Sequence, residues 1–229
     1  GLAKCEEIMQ RCQCIGCESV GLTDHGTVSG HLEFAKQAHA HGIKPVFGCE
    51  LYQGRFDTNE DRKAAGWKKR DQAHLVAVAE TDQGLRNLWS LVTASHRDNF
   101  YHVGRVNWSM LNKYQEGLIV TSGCIQGLVS QSILAEGDLD DLNKYLQMFG
   151  DNFYVEIHTY PGEEHERLNK ELVSIASERG LPLVYATDAH FADPDQYDTH
   201  DAFVALQTKD TILVEPEDRK MWHPKSLYI

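Results

Sequence analysis

The chain has 229 residues, a hydrophobic content of 41% and a formal net charge of -12 at pH 7. This length and apolar content suffice for one α/β domain with a substantial core. The acidic balance argues against a protein whose main role is to coat nucleic acid, because phosphate binding depends on clustered Lys and Arg. The acidic balance is still compatible with a local basic groove.

The sequence shows no targeting signal, and this observation together with the cysteine usage favours a cytoplasmic protein without membrane contact. No run of about 18 apolar residues could span a bilayer, and no charged start followed by an apolar core resembles a signal peptide. Four of the six cysteines, Cys5, Cys12, Cys14 and Cys17, crowd together, which disfavours a disulfide scaffold. Reduced thiols or metal ligands are the better interpretation. A zinc knuckle is disfavoured because a second pair is missing, and the role of these four cysteines stays open.

Short runs rich in Val, Ile, Leu and Tyr alternate with longer segments of helical period. This pattern is typical of repeated βα units around a parallel sheet or barrel. It predicts strands near 18–24, 45–52, 74–79, 117–122, 153–158 and 181–187. It predicts helices over Leu2–Cys14, Gly30–His41, Gln83–Ser95, Gln126–Leu134, Leu139–Phe149, Glu163–Arg179 and Pro194–Leu206.

Two segments do not fit this alternation of strands and helices. The polar stretch Gly54–Gln72 is predicted to be an exposed loop and carries, among other charges, the cations Arg62, Lys63, Lys68, Lys69 and Arg70. A nucleic-acid contact is the alternative, because Trp67 lies among those cations and an aromatic ring can stack on a base. At the other end, Gly1 leads directly into a helix with no strand before it, so we expect a piece of a longer protein.

Two strand endings carry paired acidic and imidazole side chains. Strand 18–24 runs into Asp24 and His25. The last strand runs into Asp188 and His190, whose spacing places both side chains on one side of an extended chain. In α/β folds, functional sites form at the carboxyl edge of the strands. These endings therefore predict one shared site.

Three further residues are candidates for the same site, and the sequence supports them to different degrees. Glu50 lies within an apolar run, where an unpaired charge is costly to bury and a cation would neutralise it. Cys124 follows strand 117–122, and a thiolate there is a good zinc ligand. His74 opens a strand, so its position alone favours a structural hydrogen bond. Together these residues predict a multinuclear metal site of the kind used to hydrolyse phosphate esters.

Other candidates carry weaker signals. His31, His39 and His41 lie on a helix and are expected to face solvent. Glu156 and His158 share one face of a strand, and a supporting role behind a metal is as compatible with that as ligation.

Competing chemistries fit less well. P-loop, dinucleotide-binding and nucleophile-elbow motifs are absent from the sequence. Cys124 could act as a nucleophile with His74 or His190 as base, but that reaction does not explain the surrounding carboxylates.

Several motifs together resemble a known family. They are Thr23-Asp24-His25-Gly26, the stretch Gly42–Glu50, Ser122-Gly123-Cys124, Asp188-Ala189-His190 and the segment His200–Thr208. In this order they are similar to the PHP (polymerase and histidinol phosphatase) domain, and more closely to that domain in bacterial replicative DNA polymerase III alpha subunits. The resemblance implies a distorted, TIM-like (β/α)7 barrel whose first strand is missing here. Residues 1–229 would then be a PHP domain within a larger polymerase.

The resemblance also implies a ligand set. It consists of His25, Glu50, His74, Cys124, Asp188 and His190, among which Asp188, Glu50 and His25 would be catalytic. Glu50, His74 and Cys124 would form one metal position alone. The others would need the family's opening His-x-His strand and Asp, which are absent before Gly1. The ions would be divalent, with zinc favoured by the thiol and imidazoles and Mn²⁺ or Mg²⁺ as alternatives.

For function, the resemblance implies a metal-dependent 3′–5′ exonuclease that proofreads during DNA replication. A catalytically silent module that supports the polymerase is the alternative, and a free-standing phosphoesterase of the histidinol phosphatase type is a third. The implied partners are the primer 3′ end of DNA and the remaining polymerase domains. A proofreading subunit and a sliding clamp would be partners through the parent protein.

Overall fold

The computed structural model describes residues 3–66, 72–215, 218–221 and 223–229. Its strands are β1 (Ser19–Leu22), β2 (Lys44–Gln53), β3 (Ala73–Ala79), β4 (Phe100–Tyr101), β5 (Val103–Val106), β6 (Leu118–Thr121), β7 (Phe153–His158) and β8 (Leu183–Ala186). Its α-helices are α1 (Cys5–Ile15), α2 (His31–His41), α3 (Asn59–Ala64), α4 (Asp82–Asp98), α5 (Trp108–Tyr114), α6 (Leu128–Leu134), α7 (Asp140–Phe149), α8 (Glu163–Arg179) and α9 (Tyr197–Thr208). Short 3₁₀ turns cover Gly150–Asn152 and Pro194–Gln196.

The strands form one mixed sheet that curls on itself. Its order is β4-β5-β2-β3-β6-β7-β8, and β1 pairs with the first half of β2. The ring centroids of His25, after β1, and His190, after β8, lie 6.0 Å apart, so the two flanks of the sheet approach each other. The predicted α/β barrel class is therefore confirmed as a curled half-barrel.

The prediction of a parallel sheet is wrong at β3. This strand runs antiparallel to both of its neighbours, β2 and β6, and β4 runs antiparallel to β5. The remaining pairs, β1 with β2, β2 with β5, β6 with β7 and β7 with β8, are parallel. Consequently the start of β3 lies at the same edge as the end of β2.

All six predicted strands and all seven predicted helices are present, with ends that differ by a few residues. The predictions missed β4, β5, α3 and α5. Helix α3 lies inside the stretch Gly54–Gln72 that was predicted to be a loop. The described residues do not include Trp67, Lys68, Lys69 and Arg70 of that stretch.

The main core lies between the convex side of the sheet and the helices. Leu51, Leu75, Val120 and Val155 are at most 1% exposed and belong to one cluster with residues of α4, α7 and α8. Because side chains alternate along a strand, their neighbours point to the concave side. A slip of one residue would turn Glu50 into the apolar core, so the core fixes the register that presents the site.

A second cluster joins α1 and α2, and it includes Met9, Cys12 and Phe34. Cys12 is fully buried there and acts as a packing residue. All six cysteines are free thiols. Within the described ranges, no helix has both the length and the apolar character needed to cross a membrane.

The expectation that His31 faces solvent is wrong, although His39 is exposed. His31 is only 4% exposed, and its Nε2 lies 2.9 Å from the carbonyl oxygen of Gly48. The indole Nε1 of Trp89 donates to His31 Nδ1 at 3.0 Å. This arrangement requires one neutral tautomer, with the hydrogen on Nε2. Burial lowers the pKa of His31, which favours that neutral form.

Candidate metal site

Three predicted ligands meet on the concave side of the sheet. Ligand atoms of His25, Glu50 and His74 all lie within 4.8 Å of one another, the one such group of three found among the described residues. His25 Nδ1 is 3.1 Å from one carboxylate oxygen of Glu50, and His74 Nδ1 is 2.5 Å from the other. Glu50 is only 7% exposed. A nearly buried carboxylate between two imidazoles is a donor set that fits a divalent cation.

The pairing of β1 with β2 places His25 beside Glu50. The two strands are parallel, and the backbone N–H of Gly26 donates to the carbonyl of Glu50 at 2.8 Å. In return, the N–H of Glu50 donates to the carbonyl of Asp24 at 3.1 Å. The ladder thus continues past the end of β1 and holds the His25 backbone against the middle of β2.

The antiparallel direction of β3 places His74. This residue pairs with Tyr52, two positions beyond Glu50 on β2. In an antiparallel pair, such diagonal neighbours share a face and lie within reach of long side chains. His74 therefore reaches the site from the start of its strand, the position that made it the weakest candidate by sequence.

Cys124 approaches the same histidine from the loop after β6. Its Sγ lies 3.4 Å from His74 Nδ1. Burial first, and the charge of Glu50 second, raise the pKa of the Cys124 thiol well above its ordinary value. The tightest triad thus contains His25, whereas the resemblance grouped Cys124 with Glu50 and His74.

Asp188 and His190 lie across from the triad. Asp188 has a positive φ of 50°, and its Oδ2 accepts a 2.5 Å hydrogen bond from the Tyr160 hydroxyl. His190 Nδ1 lies 2.7 Å from the carbonyl oxygen of Asp188. Since a carbonyl only accepts, Nδ1 carries the hydrogen and Nε2 keeps the lone pair that a metal needs.

A polar layer on β6 and β7 lies behind these residues. The Thr121 hydroxyl donates to the carboxylate of Glu156, and His158 Nε2 lies 2.9 Å from the other carboxylate oxygen. Burial lowers the pKa of His158, but the hydrogen bond and charge of Glu156, with more distant carboxylates, outweigh burial and raise it. Glu156 and His158 are thus paired with each other and lie outside the triad.

Sequence reasoning missed three residues around Asp188 and His190. Tyr160 lies two positions past β7, so only its closeness to a strand end could have indicated it. His200 Nε2 and His223 Nδ1 are 2.8 Å apart, and the His223 ring lies 4.3 Å from that of His190. Burial, helped by the charges of His190 and His200, lowers the pKa of His223 to about 4. The neutral pair packs behind His190.

A curled α/β sheet with imidazoles and a carboxylate on its concave rim defines a barrel-type protein with a candidate metal site. The family model for the PHP domain matches residues 1–160. The chain therefore belongs to the PHP domain family.

Two curated relatives are DNA polymerase III alpha subunits. The chain is 33% identical over 218 residues to that of Aquifex aeolicus, covering 93% of this chain and 19% of the relative. It is 33% identical over 211 residues to that of Borreliella burgdorferi, covering 91% and 18%. The chain thus spans less than a fifth of the length of these relatives.

Among solved structures, an amidohydrolase from Chromobacterium violaceum superposes with a TM-score of 0.51 at 13% identity. The match covers 83% of this chain and 84% of the amidohydrolase. At this identity the likeness concerns the fold alone.

Proposed function

We propose that residues 1–229 are the PHP domain of a replicative polymerase subunit of the DNA polymerase III alpha type. We also propose that its metal site hydrolyses phosphodiesters in the 3′–5′ direction at a DNA primer end, as in proofreading. The relatives support the first part. One observation carries the second: Glu50, nearly buried, is held between His25 and His74 at the rim of the sheet.

In this proposal six side chains hold divalent ions: His25, Glu50, His74, Cys124, Asp188 and His190. Their nitrogen, oxygen and sulfur donors favour zinc at one position at least, with manganese or magnesium as alternatives at the others. The bound ions would activate a water and stabilise the leaving oxygen.

The surrounding residues have defined tasks in this proposal. Tyr160 fixes one carboxylate oxygen of Asp188 and leaves the other for a ligand bond. The Asp188 carbonyl orients His190 so that Nε2 faces the site. Loss of an orienting hydrogen bond of this kind typically lowers metal affinity or activity about 10- to 100-fold.

A catalytically silent module is the second candidate, and one observation favours it. The Glu50 carboxylate already has both oxygens paired, with His25 and with His74. The cluster can therefore stabilise the fold without catalysis while the domain supports the other polymerase domains or docks a proofreading subunit. In either case the protein would be cytoplasmic, with the sliding clamp a partner of the parent chain. The polymerase relatives disfavour a free-standing histidinol phosphatase type.

Metal analysis followed by digestion of a 3′-labelled primer separates the two candidates. Asp188→Asn keeps the side-chain volume and the acceptor for Tyr160 but removes a ligand charge. We expect it to lower primer digestion about 100-fold or more. Asp198→Asn is the matched control, because Asp198 is exposed in the first turn of α9. A chain that holds metal and leaves the primer intact would establish the silent module.

A further inference from the structure

A groove crosses the outer face of α4 and ends at the loop that follows His25. It consists of two adjoining cavities of about 420 and 640 Å³ that share Thr93 and Arg97. The far end is lined by Arg86, Trp89 and Tyr114. The near end is lined by the loop 26–29, which directly follows His25. We call this surface the α4 groove.

Cations and aromatic rings both line the α4 groove. Arg86 and Arg97 are exposed on α4, and Lys113, which lies outside the lining, has its Nζ 5.0 Å from the centre of the Tyr114 ring. Two acidic residues lie nearby: Asp82 is one helical turn before Arg86, and Asp98 accepts two hydrogen bonds of 2.6 Å from Arg97. Because that pair is exposed, its net strength is small and a phosphate can replace the carboxylate. Among the described residues, the lining itself thus contains two cations and no carboxylate, on a chain of net charge -12.

Trp89 is held in place and yet open to solvent. It is 44% exposed, but its one polar atom is bonded to the buried His31. His31 is bound in turn to the carbonyl of Gly48, two residues before Glu50 on β2. The indole is therefore fixed by its edge while its face is accessible. A preoriented aromatic face is a stacking platform for bases that loses little side-chain entropy on binding.

We propose that the α4 groove binds single-stranded nucleic acid and leads its end to the metal site at His25. Arg86 and Arg97 are separated by about 16 Å along the helix axis, the length of four or five stacked nucleotides. Arginines would contact phosphates, whereas Trp89 and Tyr114 would stack on bases. The two arginines, with no carboxylate among the described lining residues, favour a polyanion over an uncharged protein segment. The delivery step rests on the proposed function, but the binding step does not.

Binding is tested by fluorescence anisotropy of a labelled 12-residue oligothymidine with the 229-residue chain in excess EDTA, where metal-dependent cleavage cannot occur. We expect Arg86→Ala to weaken binding about three- to tenfold and to reduce the salt slope by about 0.7. Trp89→Leu should weaken binding about tenfold without changing that slope. Arg167→Ala is the matched control, because Arg167 is an exposed residue of α8 on the other half of the sheet.

The binding proposal is overturned if the chain does not bind the oligonucleotide, which would leave the groove to a protein partner. It is equally overturned if Arg86→Ala and Arg167→Ala weaken binding by the same factor. Arg86→Ala also keeps the test decisive should Trp89→Leu fail to fold without its bond to His31.

Hydrolysis of bis(4-nitrophenyl) phosphate distinguishes the groove from the metal site, because this small diester does not span the groove. If delivery is correct, Arg86→Ala lowers the rate on the oligonucleotide relative to the rate on the small diester. If neither substrate is hydrolysed, the proposed function fails, and anisotropy still decides binding. Hydrolysis of both substrates with an unchanged ratio in Arg86→Ala overturns delivery alone.

Discussion

At the scale of single residues, Gly123 controls how closely Cys124 approaches His74. Its φ is +71°, a region that favours glycine. A Cβ atom at this position would also lie 2.7 Å from the carbonyl oxygen of His74. The loop after β6 can therefore pass close to the start of β3 only with glycine here.

Replacing Gly123 should consequently cost more than replacing a glycine with the same dihedral angle in open space. Gly42 is that control, since its φ is +68° and no atom lies within 4 Å of its Cβ position. We expect Gly42→Ala to lower the free energy of unfolding by about 1 kcal/mol. Gly123→Ala should cost about 2–4 kcal/mol, because the His74 backbone must move. Equal shifts in urea unfolding would contradict the role of close approach.

The sequence indicates some residues of the site better than others, for physical reasons. Asp188 and His190 follow a strand, and Glu50 is a charge within an apolar run, so each conflicts visibly with its surroundings. Tyr160 carries no such conflict, because a tyrosine near a strand end is ordinary. Its bond to Asp188 depends on the turn after β8, where Asp188 takes a positive φ, and no local pattern encodes that turn.

At the scale of elements, apolar periodicity predicts most of the strands and helices but gives no strand direction. β3 is a mostly apolar run like β6, and such a run carries no sign of its direction, so its antiparallel course is seen only in the pairing. β4, β5, α3 and α5 have two, four, six and seven residues. Two residues are too few for a periodic signal in β4. Length alone does not explain β5 and α5, because β1 also has four residues and α6 has seven, and both are predicted. The direction of β3 also explains why a strand position could not identify His74 as part of the site.

Three elements are joined by the hydrogen bonds of one side chain, His31. This residue begins α2, and its two ring nitrogens bind Gly48 of β2 and Trp89 of α4. Protonation would place a hydrogen on Nδ1, where the indole N–H already points. Burial lowers the pKa of His31, so its folded value lies below the unfolded value of about 6.5. Stability from this group is therefore complete above pH 6.5 and is lost as the pH falls.

We expect His31→Gln to remove part of the acid sensitivity of the fold. Linkage limits the contribution of one group to about 1.4 kcal/mol per pH unit. Urea unfolding of both proteins at pH 7.5 and pH 5.5 checks this. The loss of stability between the two values should be smaller in His31→Gln, although the variant is less stable at pH 7.5. An identical loss in both proteins would mean that His31 does not titrate in this range.

At the scale of the whole molecule, the candidate site connects distant parts of the sheet. His25 follows β1, Glu50 lies in β2, His74 opens β3, and Asp188 and His190 follow β8. Within the described residues, β1 and β8 do not pair with each other. The two flanks of the half-barrel thus meet through the side chains of the site. A cation bound there would couple the flanks, so metal binding should stabilise the entire fold.

Addition of zinc or manganese should therefore raise the free energy of unfolding of the chain. A ligand that binds only the folded state at 100 times its Kd contributes about 2.7 kcal/mol. Glu50→Gln keeps the volume between the two imidazoles but removes the charge, so its stability should respond little to metal. Glu163→Gln on the exposed first turn of α8 should respond like the unmodified chain. Denaturant unfolding with metal and with EDTA measures this difference. An equal metal response in Glu50→Gln would show that the ion binds elsewhere, with zinc at the clustered cysteines as the first site to examine.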